Sequence, residues 1–209
     1  LSATRGVGSK ELRYPGRTDR EEVQAELSRL GTQGVERAEA LLLLSRSDQW
    51  SGLGDWIVQT ADALTSQQRH TNRLVVEGLH YAMLPVQSWA SFPAYLQNLS
   101  TLPGTLLRDR LLDAYLDIAR EPKMPCAPGT EFDIPSREAL IASVDVYLDF
   151  LDRAFGEYDR ALEAEAHALI QHPDTMKRVI TEHLTFMWEQ HFAAEWTRAL
   201  PLLQESLDA

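Results

Sequence analysis

Cysteine is nearly absent from this chain: Cys126 is the single one in 209 residues. A disulfide within the chain needs two cysteines and a thiolate-rich zinc site needs more. Both are excluded, and a reducing cytoplasmic setting is expected. Basic charge is also in short supply. Twenty Lys and Arg stand against 31 Asp and Glu, a formal net charge of −11. No broad basic face is therefore available to grip a phosphate backbone. Long apolar runs are missing as well. Leu41–Leu44 spans only four residues with charges close on both sides, far from the roughly 18 a membrane span requires, so no membrane partner is expected. The opening LSATRGVGSK contains no apolar segment of signal-peptide type.

Alternating strand patterns bounded by turn chemistry are lacking, as are repeats of 20 to 50 residues, so neither a sheet nor a solenoid is expected. There is no GxSxG, no P-loop, no GxGxxG following a strand and no HExxH, so no catalytic residue, metal or cofactor is assigned.

What the chain does hold is helix punctuation. Its apolar share is 44%, enough for a sizeable core. Residues 1–17 carry Gly, Pro and Arg without periodicity and read as an extended or mobile arm. Residues 18–209 read as one helical domain. Thr18 and Glu21 form a capping box for a helix to about Leu30, where Gly31 stops it, and Val35 to Ser45 forms a second. A turn leads into a short helix from Asp55 to Ala63. Thr65 or Ser66 caps the next, running to Leu84 before Pro85. Its one side carries Val75, Val76, Leu79 and Met83, and another carries Leu74, Gly78 and Tyr81.

Ser91 with Pro93, and Thr101 with Pro103, open two more helices, the second to Arg120. EPKMPCAPGTEFDIP is the clearest loop. Ser136 opens a helix to Phe155 with Leu140, Val144, Tyr147, Leu148 and Leu151 on its apolar side. Glu157 to Gln171 forms another, acidic on its outside. His172 and Pro173 break the chain before a long helix over 174–208, which Pro201 is placed to kink. A helix of that length needs neighbours along it. The expected fold is all-α, a single bundle of about eight helices built around that C-terminal helix.

The candidate ligand-binding residues lie on two helices. On the last, Met176, Ile180, Leu184 and Trp188 form a core ridge, and His183, Met187, His191 and Glu195 a second row beside it. His183 and His191 are about 12 Å apart along the axis, too far for one metal. His191 and Glu195 are one turn apart but supply only two ligands, so no metal is expected. Aromatic walls with few polar groups suit a small molecule instead. On the other helix, Arg73, Glu77 and His80 share a stripe. Glu77 beside His80 offers an acid/base pair if enclosed; the plainer reading is an Arg73–Glu77 surface pair and a partly packed histidine. Gly78 admits close approach of a ligand or a helix. Trp50, Trp56, Trp89, Trp188 and Trp196 read as core or interface anchors.

Two passages resemble a known family. GLGDWIVQTADAL (52–64) and EHLTFMWEQHFAAEWTRALPLLQES (182–206) are similar to the helical N-terminal region of large bacterial ArsR-like transcriptional regulators. The matching positions in the second are Leu184, Trp188, Glu189, His191, Phe192, Glu195, Trp196, Arg198, Pro201, Leu202, Leu203 and Ser206. The resemblance implies a sensory or dimerisation region, a homo-oligomer binding a small ligand or a second copy through the aromatic face of the last helix. DNA contact would belong to a winged helix absent from this chain. Two other readings stand beside it: a small helical enzyme using Glu77, His80 or His191, and a ligand-free protein–protein interaction module.

Overall fold

The computed structural model describes residues 55–87, 89–120, 133–156 and 158–198. The expected N-terminal arm, the capping box at Thr18, the helices before residue 46, Trp50, the loop with Cys126 and the kink at Pro201 lie outside them.

Among the described residues there are eight α-helices and no strand. They are α1 (Asp55–Ala63), α2 (Ser66–Arg73), α3 (Phe92–Thr101), α4 (Gly104–Arg120), α5 (Arg137–Ala142), α6 (Val144–Phe155), α7 (Arg160–Ile170) and α8 (Pro173–Met187). The all-α bundle read from the sequence is the fold. No described helix is long and apolar enough to cross a membrane.

Short polar side chains set the helix starts. Thr65 and Gln68 make a full capping box, with Thr65 N donating to Gln68 Oε1 at 2.8 Å and Gln68 N to Thr65 Oγ1 at 3.2 Å. Such reciprocity satisfies two amides that the first turn leaves unpaired. Ser91, Ser136 and Ser143 each accept an amide three residues on. The helix expected over 136–155 is therefore two. Ser143 adopts extended backbone and caps α6, because a serine hydroxyl rewards leaving the helix as readily as staying in it. The helix expected from Glu157 begins instead at Arg160, where Asp159 accepts the amides of Ala161 and Leu162, both at 3.1 Å.

The helix expected from Thr65 to Leu84 also differs. It is α-helical only to Arg73, widens into a π turn over Leu74–Gly78, and breaks at Leu79 (φ −123°, ψ 9°). A 3₁₀ turn over His80–Met83 follows. Gly78 and Ala166 explain the close packing here. A Cβ on Gly78 would lie 3.0 Å from the Ala166 Cβ, so the glycine admits a helix, α7, one of the two partners foreseen for it.

Helix α8 is the centre of the bundle, packing on α3, α4 and α7. Met176, Ile180, Leu184 and Met187 are buried along it. The ridge read from the sequence holds for its first three members, but Trp188 is only partly buried. A second π turn, Trp188–Phe192, follows directly; it holds an extra residue, so beyond Trp188 four-residue steps no longer return to the same face. Helical backbone resumes to Arg198. Gly104 lets α4 meet the start of α8 almost backbone to backbone: a Cβ there would lie 2.4 Å from the Pro173 carbonyl oxygen. Arg137 fastens α5 to α4 through Asp113, with Asp109 at 3.6 Å.

Candidate functional site

One part of the bundle interior is polar, where α2, α4, α6 and α7 converge. Tyr147 on α6 is fully buried and donates its hydroxyl hydrogen to Glu163 Oε2 on α7 at 2.8 Å. The Glu163 side belongs to a buried stripe with Ala166, His167 and Ile170. The Tyr147 ring also lies 6.4 Å from that of buried Tyr115 on α4. The Tyr115 ring meets Tyr81 edge-on at 5.3 Å. At the rim, Arg73 Nη2 lies 3.0 Å from Asp159 Oδ2 and 3.6 Å from Glu77 Oε2.

Burial raises the Glu163 carboxyl to about 7, with the Asp159 and Glu77 charges adding to the rise and the Tyr147 hydrogen bond opposing it. The Tyr147 and Tyr115 phenols are both pushed up, chiefly by burial. Asp159 is held below the usual carboxylate range by the Leu162 amide and by Arg73. Carboxyl groups tuned towards neutrality inside a polar cluster are among the physical signatures of functional sites.

The residues singled out from sequence divide among three environments. Glu77 belongs to the rim of this cluster. His80 stacks on Tyr81 with ring centroids 3.8 Å apart, and its Nδ1 lies 3.1 Å from the backbone carbonyl oxygen of Glu77. The contact between the two is thus ring to main chain rather than the side-chain acid/base pair considered above. Burial lowers the His80 basicity.

His183 and Met187 lie in the core. His183 Nε2 is 2.9 Å from Asn72 Oδ1, a buried bond tying α8 to α2. With the amide oxygen accepting, Nε2 carries the hydrogen. Burial depresses His183 to about 4.

Trp188, His191 and Glu195 belong to the end of the long helix. Trp188 packs on Phe92 (5.2 Å between ring centroids) and His191 meets Phe186 edge-on at 5.6 Å. Glu195 Oε2 accepts from Arg198 Nε at 2.8 Å. The wall is completed by Trp56 against Phe192 at 5.1 Å. Burial lowers His191 as well. Among the described residues, no group of three or more His, Cys, Asp or Glu is arranged to hold a metal.

Sequence reasoning passed over Asn72, Tyr115 and Glu163 as site residues. A signal existed for two of them. Asn72 precedes Val75 and Val76 by three and four positions, and Glu163 precedes Ala166 and Ile170 by three and seven, so both polar side chains sit on an apolar helical stripe. Tyr115 in LLDAYLDIAR looks like any core aromatic. Compared with known family models, curated proteins and solved structures, the chain matches none.

Proposed function

We propose that this chain is the sensory or dimerisation region of a bacterial transcriptional regulator. Helix α8 and its continuation connect a buried core to an aromatic outer segment. The observation that carries the reading is the division of that one helix. Its first part, to Met187, is enclosed by α3, α4 and α7. Its second part, to Arg198, presents the partly exposed Trp188, Phe192 and Trp196. A small ligand or a second copy meeting that aromatic segment would favour one packing of α8 over another. The bundle would set the state and the helix would carry it to a DNA-binding unit outside this chain. The net charge of −11 fits a role in which this region does not itself grip DNA.

The test uses the product of the complete native reading frame. Sedimentation velocity and selection from a random DNA pool are carried out on wild type and on Trp196→Ala. A dimer that retains specific duplexes, with the variant weakened in either property, is the expected result. A monomer that enriches no sequence refutes the reading.

A further inference from the structure

Among the described residues, the polar cluster brings three carboxyls, Glu77, Asp159 and Glu163, to one arginine, Arg73. Arg73 serves both Asp159 and Glu77. The neighbouring Arg69 is spent on main-chain carbonyls of Ala61 and Leu64 at 3.0 and 2.6 Å. Glu163 is a third carboxyl in the same cluster and is only 7% exposed. The elements around it offer little charge to offset its own. Helix α6 presents the neutral phenol of Tyr147, and α4 that of Tyr115. Helix α8 contributes His183, already engaged with Asn72. On its own helix, His167 Nε2 is 2.9 Å from the Leu140 carbonyl oxygen. Burial beside two further carboxyls disfavours the charged form of Glu163, and a proton on its own carboxyl removes that charge.

We propose that Glu163 and Tyr147 form a proton-operated latch between α6 and α7, closed while the Glu163 carboxyl is protonated and loosened when it ionises. On ionisation one proton passes from the carboxyl to water, while Tyr147 keeps its own. The resulting carboxylate gains a stronger bond from Tyr147. It also bears the cost of burial at 7% exposure and the repulsion of Glu77 and Asp159, which together outweigh that bond and raise the carboxyl. Both forms are then populated near neutral pH. Helix α7 packs on the π turn of Leu74–Gly78 and on α8, so a loosened latch reaches the central helix. The latch rests on bundle packing alone and stands or falls apart from the regulatory role.

Amide hydrogen exchange, corrected for the intrinsic rate, tests it at about pH 6 and pH 8 on wild type and Glu163→Gln. With a folded-state midpoint near 7 and an ordinary value well below, the opening equilibrium of α6 and α7 rises about tenfold between these pH values. Glu163→Gln, a neutral mimic of the closed form, shows no such rise. Equal pH dependence in the two proteins overturns the latch. A second measurement needs no variant: a ¹³C carboxyl titration of wild-type Glu163 is expected to turn over near neutrality, and a midpoint in the ordinary carboxylate range overturns the proposal even if Glu163→Gln fails to fold.

Discussion

Replacing His183 by glutamine isolates a proton linkage opposite in sign to that of Glu163. His183 is depressed from 6.5 to about 4 in the folded chain, so the unfolded chain binds the extra proton between those values. The stability this group contributes is complete above about 6.5 and is lost as the pH falls towards 4. Each tenfold change in proton affinity is worth about 1.4 kcal/mol, so the whole loss is about 3 kcal/mol. Glu163 works the other way: raised from 4.5 to about 7, it stabilises most below 4.5 and loses that contribution as the pH rises through 7. From 4.5 to 6.5 the two slopes nearly cancel, and the wild-type curve hides both. Glutamine retains an N–H donor for Asn72 and does not titrate. The assay is urea unfolding followed by tryptophan fluorescence from pH 4 to 8. The wild-type stability minus that of His183→Gln is expected to grow by about 3 kcal/mol from pH 4 to 6.5 and then level off. His80 and His191, also lowered by burial, are common to both proteins and drop out of the difference. Parallel curves would refute the argument that burial without a charged partner governs His183.

Two further outcomes concern stability. Gly104→Ala forces a Cβ against the Pro173 carbonyl; overpacking against backbone costs about 1–3 kcal/mol and outweighs the alanine gain of up to about 1 kcal/mol, so calorimetry should show a lower Tm. Thr65→Ala dismantles the capping box of α2 and should cost about 1 kcal/mol in chemical unfolding.

The helix starts were the most legible part of the fold, because capping chemistry is local: Thr65, Ser91 and Ser136 stand where the sequence puts them. The apolar stripes were legible for the same reason, as Val75, Val76, Leu79 and Met83 are all buried. Helix ends and interruptions were not. Whether Ser143 continues a helix or caps a new one depends on what α5 and α6 must pack against, and the apolar stripe through Leu79 does not mark the break there. The polar cluster was the least legible. The apolar stripe around Glu163 hints at its burial, but nothing in that helix announces Tyr147, which α6 brings across it, and His183 acquires meaning only with Asn72, 111 residues away. Glu77 and His80 meet ring to main chain rather than side chain to side chain, a distinction that their three-residue spacing does not make.

The π turn at Trp188–Phe192 has a mechanical consequence. A turn that stores one surplus residue can hand it to the next turn, as a wrinkle travels along a carpet. Each position it crosses is swivelled by about 100° about the helix axis, while Met176 to Met187 stay seated in the core. Trp196 and its neighbours could thereby point in a new direction without any atom of the bundle interior being displaced.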